Sequence, residues 1–372
     1  MMKRRQFITR TAIGVGTVTA LGACGQTTPS AGTTGSDLPI VHWQMATSWP
    51  TSLDTPFGAA QMVAAQVSAM TNGRFTIAPA AAGEIVPGLQ VLDAVQAGTV
   101  QCGHSASYYY IGKNSALAFG TCLPFGFNAQ QQNAWLYHGG GMEAMNKLYS
   151  DFNVIAFPAG NTGVQMGGWF KREVNTVSDL NGLKMRIPGL GGEVLARLGV
   201  NVQVLPGGEI FLALDRGAID AAEWVGPYDD EKLGLNNAAE FYYYPGWWEP
   251  GSSFDFMVNL TAWQQLPKEY QAVLQAAAAY ANVDCLSKYD SRNPEALQRL
   301  LAKGTKLRPY SREILTAAQR ESTALLEEKA ADNPSFREVY DSWKTFREAI
   351  SRWHRVSELG YGSFAIAAPP PP

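Results

Sequence analysis

The sequence is poor in charge and in the residues that build metal or covalent chemistry. Charged residues are 16% of the 372, the formal net charge is only −3, and no Lys/Arg cluster follows the first ten residues, which argues against a nucleic-acid binder. Cysteine and histidine number four each. With Cys24 set aside, Cys102, Cys122 and Cys285 are odd in number and lack metal-ligand spacing, so neither a disulfide framework nor a zinc site is indicated. A single Cys102–Cys122 bridge and buried free thiols are the two readings left open. Beyond the first two dozen residues no stretch is apolar for long enough to span a bilayer. There is no Walker loop and no His-Glu-x-x-His, hence no nucleotidase or metalloprotease signal. What is abundant is apolar: 46% of residues are hydrophobic, with 10 Trp, 15 Tyr and 16 Phe, which excludes disorder and predicts a large core. The length suits about two domains.

Residues 1–24 read as a signal peptide: Lys3, Arg4, Arg5 and Arg10 precede an apolar run too short for a span, followed by small residues. Arg4-Arg5-Gln6-Phe7-Ile8 matches the twin-arginine export pattern, and Leu21-Gly22-Ala23-Cys24 resembles a lipobox in which Cys24 is the lipidated residue. An ordinary cleavage site is the alternative to the lipobox. Residues 25–38, rich in Gly, Thr and Ser, are expected to form a flexible linker. The expected location is the periplasm, reached by the twin-arginine route, with a lipid anchor as the membrane attachment.

From residue 41 onward strand and helix patterns alternate at short spacing. Strands are expected at 41–45, 75–78 and 100–104, with helices at 56–70 and 87–97. A second series follows, with strands at 154–157, 165–170, 183–187, 202–205 and 221–225 and helices at 192–198 and 210–216. Such alternation implies parallel pairing with crossover helices, and hence two α/β lobes. Residues 39–160 are expected to be mainly the first lobe and 161–260 mainly the second. Beyond Pro267 three long helices are expected, at 268–302, 312–331 and 335–357, packing on both lobes and long enough to bridge lobes or subunits. Residues 359–372 would be a tail, its terminal prolines frayed.

Two near-motifs of hydrolases fail in detail. Gly103-His104-Ser105-Ala106-Ser107 lacks the final glycine of a nucleophile elbow, and His138-Gly139-Gly140-Gly141, which resembles an oxyanion loop, follows it instead of preceding it. An exported serine hydrolase using Ser105 is kept as a distant alternative. Gly189-Leu190-Gly191-Gly192 puts Val194 where a dinucleotide loop needs glycine, so a plain turn and helix start is favoured, with an anion at the helix end as the functional option. Arg186 ends an apolar strand, where a buried guanidinium needs an anion: a ligand carboxylate held bidentately, or a nearby Asp or Glu. Glu223 and Glu249 stand in equally apolar stretches and must protonate, pair or bind a cation. If these three groups share a cleft with a substrate carboxylate, two excess negative charges remain, which a divalent ion neutralises and a monovalent one halves. Glu223, Glu249, the Gln165 amide and the Trp224 carbonyl are hard oxygen donors suited to Ca²⁺ or Na⁺. The competing reading makes Trp224, Trp247 and Trp248 core aromatics and Glu249 a surface residue.

The segments 156–170 (AFPAGNTGVQMGGWF), 180–189 (LNGLKMRIPG) and 217–224 (GAIDAAEW) resemble the solute-binding proteins of tripartite ATP-independent periplasmic (TRAP) transporters. The run 242–249 (YYYPGWWE) is similar to the branch that binds 2-oxo or 2-hydroxy acids such as pyruvate or lactate. The resemblance covers about residues 41–357. It implies a two-lobed periplasmic binding fold that closes on its ligand like a hinge, no catalysis, and delivery of a small organic acid anion to TRAP permease subunits. It assigns the carboxylate to Arg186 and a Ca²⁺ or Na⁺ bridging the substrate carboxylate to Gln165, Glu223, Trp224 and Glu249. Gln165 and Trp224 thereby also line the substrate, and Asn161 and one of Tyr108 to Tyr110, taken as Tyr108, complete the pocket. It further implies a possible homodimer through the C-terminal helices. A dicarboxylate or a polyol is the alternative solute.

Overall fold

A computed structural model describes residues 38–366. The signal peptide with its twin-arginine motif, Cys24, nearly all of the linker and the terminal prolines lie outside the described residues. Eleven strands lie within them: β1 (Val41–Thr47), β2 (Phe75–Ala80), β3 (Cys102–Ser105), β4 (Val154–Asn161), β5 (Trp169–Phe170), β6 (Lys184–Arg186), β7 (Asn201–Gln203), β8 (Ala221–Ala222), β9 (Phe241–Tyr244), β10 (Ser253–Asn259) and β11 (Lys306–Pro309). They form two sheets, ordered β2-β1-β3-β10-β4 and β11-β9-β5-β8-β6-β7.

The first sheet starts as the alternation implies. β1 pairs in parallel with β2 and β3, and the helix Pro56–Met70, opened by a proline in its first turn, makes the crossover from β1 to β2. The expectation of purely parallel pairing is corrected by β10, which returns from the second lobe and lies antiparallel between β3 and β4. All seven residues of β10 are buried, Ser253, Asp255 and Asn259 included, so the polar residues that alternate in Ser253-Phe254-Asp255-Phe256 do not mark a solvent face. The second sheet is mixed as well: β6 runs parallel to β7 and β8, β9 parallel to β11, and β5 antiparallel to β8 and β9.

The strand expected at 165–170 shrinks to Trp169–Phe170. Gly163 and Gly168 adopt φ values of 69° and 83°, which an extended strand excludes, and residues 162–168 form a loop instead. His138-Gly139-Gly140-Gly141 is the turn between the helices Ala129–His138 and Gly141–Ser150, with Gly140 left-handed at φ 83°. Gly139 and Gly141 are there for packing: a Cβ on Gly141 would lie 2.5 Å from the Trp135 ring.

The C-terminal helices appear as Lys268–Ala302, Arg312–Asp332 and Pro334–Val356. The first buries a stripe of Leu274, Ala277, Ala278, Ala281, Cys285 and Tyr289 at three- and four-residue steps. It packs on the helix Pro56–Met70 and β4 on one side and on the helix Pro227–Leu233 on the other. The segment expected as a tail carries a further helix, Glu358–Ala365, whose Leu359, Tyr361 and Phe364 are exposed. No helix among the described residues is long and apolar enough to cross a membrane.

Candidate functional site

Arg186 is the last residue of β6, held between β7 and β8, and its side chain is 1% exposed. Its Nε donates to the Leu205 carbonyl at 3.1 Å and its Nη1 to the Glu223 carbonyl at 2.9 Å. Nη1 also forms an ion pair with Glu223 Oε1, and the guanidinium carbon lies 5.2 Å from the centroid of the Trp224 ring. The carboxylate alternative weighed for Arg186 is therefore real, but it engages only part of the fork. Nη2 is buried without a partner.

Glu223 follows β8 directly and is fully buried, and its second oxygen, Oε2, has no partner either. Burial raises its carboxyl well above the ordinary value; Arg186 works against this and Glu249 adds to it. Glu249 is buried rather than on the surface, in the loop between β9 and β10. Its Oε2 accepts from Gln165 Nε2 at 2.7 Å, from Ser252 Oγ at 2.7 Å and from the Tyr108 hydroxyl at 3.5 Å. Burial pushes its carboxyl up to about 7, with Ser252 and Arg186 opposing the rise.

The glycine loop after β4 delivers Gln165. Backbone bonds from Gln165 N to the Glu249 carbonyl (3.2 Å) and from Gly246 N to the Gln165 carbonyl (2.8 Å) clamp it to the Glu249 loop. Gln165 Oε1 is likewise buried without a partner, as is the Trp224 Nε1 donor. A buried amide oxygen and a buried carboxylate oxygen left unpaired, beside an unpaired guanidinium nitrogen, are the donor set that a hard cation and a carboxylate would satisfy. No group of three or more His, Cys, Asp and Glu side chains converges among the described residues, so any cation here must draw on amide and carbonyl oxygens as well.

Tyr108 enters from the Ser107–Tyr110 turn after β3 and is the first-lobe contribution to the site. Of its neighbours, Tyr109 packs edge to face on it at 4.8 Å and faces the same charges, whereas Tyr110 turns away to Ser105 Oγ at 2.9 Å. Asn161 has both ends of its amide engaged: Nδ2 donates to the Gly251 carbonyl (3.2 Å) and Oδ1 accepts from Gly163 N (2.9 Å). It braces the two loops that carry Gln165 and Glu249.

Several residues here escaped the sequence reading. Ser252 holds Glu249, and Trp49 meets Trp224 edge to face at 6.3 Å. Asp229 and Asp230 lie in the first turn of the helix Pro227–Leu233 behind Glu223; an acidic pair one residue beyond Gly226-Pro227 was the signal available for them. Asp230 accepts from Trp169 Nε1 (2.9 Å) and the Tyr242 hydroxyl (2.7 Å), and Asp229 from the Tyr289 hydroxyl (2.7 Å). Burial raises Asp229 to about 7 and Asp230 to about 6.

The near-motifs resolve structurally. Ser105 Oγ is fully buried against the hydroxyls of Ser48 (2.6 Å) and Tyr110 (2.9 Å). His104 accepts from Trp49 Nε1 at 2.7 Å, and its other nitrogen donates to the Ala159 carbonyl at 3.1 Å, so it is not aimed at Ser105. Burial lowers it to about 4, so it is neutral at pH 7. Gly191 and Gly192 begin the helix Gly189–Arg197 where a Cβ would meet Trp248 at 2.6 Å and the Ile187 carbonyl at 2.9 Å, which favours the packing reading over an anion loop. Cys102, Cys122 and Cys285 are all buried free thiols.

Residues 45–333 match the family DctP, bacterial extracellular solute-binding protein, family 7. A monocarboxylate 2-oxoacid-binding periplasmic protein of Nostoc sp. (strain PCC 7120) is 65% identical over 99% of this chain and 100% of its own length. A TRAP transporter solute-binding protein from Bordetella bronchiseptica, a dimer with copurified calcium and picolinate in one site, is 47% identical with a TM-score of 0.87, over 88% of this chain and 98% of that one. One from Pseudoalteromonas atlantica, with bound sodium and pyruvate, is 40% identical with a TM-score of 0.84, over 87% and 99%. The two-lobed α/β fold with long C-terminal helices is shared with these proteins, which bind solutes rather than catalyse reactions. The chain belongs to the DctP family of extracellular solute-binding proteins of TRAP transporters.

Proposed function

We propose that this protein captures a small 2-oxo monocarboxylate of the pyruvate class together with Ca²⁺ or Na⁺ and hands it to a TRAP permease. The observation that carries this reading is the trio of buried atoms without partners: Arg186 Nη2, Glu223 Oε2 and Gln165 Oε1. Leaving such atoms unpaired is costly, and a carboxylate with a hard cation satisfies all three at once. Arg186 takes the ligand carboxylate with Nη2 while Nη1 keeps Glu223 in place. Glu223, Gln165, Glu249 and the Trp224 carbonyl hold the cation, which supplies positive charge that offsets the surplus of carboxylates. Tyr108, reaching over from the first lobe, orients Glu249 and covers the site, and Trp224 shields the guanidinium from water. The relatives with calcium or sodium beside picolinate or pyruvate support the same pairing.

The permease partner, twin-arginine export and a lipid anchor at Cys24 complete the proposal, as does a homodimer; the Bordetella relative is a dimer, and the exposed Trp353, Leu359, Tyr361 and Phe364 give the C-terminal helices an apolar face to bury. The test is calorimetry of the chelator-treated protein with pyruvate, alone and with Ca²⁺ or Na⁺. Binding that appears only with the cation is expected. Pyruvate binding of full strength without any added ion would refute the cation's part, and tighter binding of a dicarboxylate or a polyol would refute the ligand class.

A further inference from the structure

Asp255 is the third residue of β10 and is 5% exposed. Burial pushes its carboxyl up to about 7, and Ser107 and Tyr149, not a cation, oppose the rise. A carboxyl kept at such a cost, where an apolar side chain would pack, has something to hold. Its Oδ2 accepts from the Ser107 backbone N–H at 3.2 Å.

Ser107 opens the turn Ser107–Tyr110, from which the Tyr108 hydroxyl reaches Glu249 Oε2 at 3.5 Å. The next amide, Tyr108 N, donates to Thr121 Oγ1 at 3.3 Å, and that oxygen is hydrogen-bonded to Ser107 Oγ at 3.0 Å. The first amides of a helical turn have no carbonyl of their own to meet, and here Asp255 and Thr121 supply the acceptors. Gly120, beside Thr121, leaves the clamp no slack: a Cβ there would lie 2.5 Å from Ser107 Oγ and 2.6 Å from the Tyr149 hydroxyl. At the far end of the turn the Tyr110 hydroxyl meets Ser105 Oγ at 2.9 Å and accepts from Leu92 N at 3.2 Å.

β10 brings Asp255 to this turn from the other side of the charged site. The strand leaves the loop that carries Glu249 and Ser252 and sets Asp255 opposite Ser105 on β3. Its pairing with β4 shifts register between Ser253 and Asp255, the kind of irregularity that re-aims a side chain. The segment that supplies Glu249 therefore also supplies the group that fixes the turn of the tyrosine above it.

Resting on the 2-oxo acid reading of the charged site, we propose that Asp255 and Thr121 are positioning residues for ligand binding: they hold the Ser107–Tyr110 turn where the Tyr108 hydroxyl meets Glu249, and so orient that carboxylate for the cation. Neither touches the ligand, and both act through Tyr108.

The experiment is calorimetry of the intact protein with pyruvate in calcium, with urea unfolding of each variant measured alongside. Asp255→Ala, Thr121→Val and Tyr108→Phe should each weaken pyruvate binding about three- to tenfold, the net worth of one hydrogen bond. In the Tyr108→Phe background neither of the other two should cost more than about a further twofold, because no hydroxyl is left to place. Asp255→Asn keeps an oxygen for the Ser107 amide and should bind within about twofold of the unaltered protein. Should Asp255→Ala fail to fold, Thr121→Val, which is nearly isosteric, decides the matter. Unchanged affinity in either folded variant overturns the inference, as does a loss that persists in full in the Tyr108→Phe background or an Asp255→Asn variant as weak as Asp255→Ala; a merely structural role gives those results with a lowered urea midpoint. In each case the parent reading stands. Failure of the unaltered protein to bind pyruvate in calcium overturns the parent reading, and the inference with it.

Discussion

Replacing Arg186 by alanine would strand Glu223, a fully buried carboxylate whose only ion-pair partner among the described residues is that guanidinium. Breaking a buried pair from one side costs about 3–5 kcal/mol because a charge is left uncompensated. Glu223 has one escape, protonation, and burial already raises its carboxyl well above the ordinary value with Arg186 present. In the variant the native state therefore holds a proton that the unfolded chain releases above the ordinary carboxylate range. Stability should fall with rising pH by about 1.4 kcal/mol per unit until the folded carboxyl ionises. Urea unfolding should thus show a loss that is modest at pH 5 and larger at pH 8. Adding Glu223→Gln to Arg186→Ala should recover most of the loss at pH 8. Ligand binding behaves differently: removing the carboxylate's donor costs about 2–5 kcal/mol, a thirtyfold or greater weakening, and the double variant does not restore it. Pyruvate affinity within threefold of the unaltered protein in a folded Arg186→Ala variant would refute the reasoning, as would a stability loss that ignores pH.

Two further outcomes are expected. Glu249, Asp229 and Asp255, raised to about 7, and Asp230, raised to about 6, all bind protons more tightly folded than unfolded. The ligand-free protein should therefore lose thermal stability as pH climbs from 5 to 8, while stabilisation by Ca²⁺ with pyruvate grows over the same range because the ion requires ionised carboxylates; differential scanning fluorimetry showing either trend reversed would contradict this. Asp54, in the loop after β1, pairs with Lys232 on the helix Pro227–Leu233 and with Lys288 on the long helix (2.9 Å), and accepts from the Tyr228 hydroxyl at 3.2 Å, tying the first lobe to the second. Asp54→Asn should weaken ligand binding about two- to fivefold in low salt and hardly at all near 1 M, given the value of exposed pairs. With its carboxyl lowered to about 2, after burial is outweighed by Lys232 and Lys288, that contribution persists down to the ordinary carboxylate range and fades as pH falls through about 2. An effect unmoved by salt would show that Asp54 acts by some other means.

The chemistry of the site was legible because it depends on residue types that resist burial. Arg186, Glu223 and Glu249 announce themselves as charges in apolar stretches, and the structure brings all three together. Asn161 was harder to read because an amide in a glycine loop suits a ligand or a backbone brace equally; here both ends of its amide bond the backbone of Gly251 and Gly163. Burial alone did not hide a strand: β3 and most of β4 are buried and were expected, whereas β10, with Ser253, Asp255 and Asn259 among its buried residues, was not. Trp49 matters through partners far away in sequence, His104 and Trp224, a relation that no local pattern records, whereas Ser252 stands three residues from Glu249 and is set against it only by the turn of the loop.

The helix Lys268–Ala302 runs 35 residues, about 50 Å, and continues through Pro294. Proline at that point withholds the N–H that residue 290 would otherwise receive, so the rod is weakest near the end that meets the second lobe, where Tyr289 grips Asp229 and Asn293 caps the Tyr228 amide at 3.0 Å. A beam clamped along β4 and thinned at one station flexes there first. Alanine in place of Pro294 would restore the missing hydrogen bond to residue 290 and stiffen this joint without touching any atom that meets the guest.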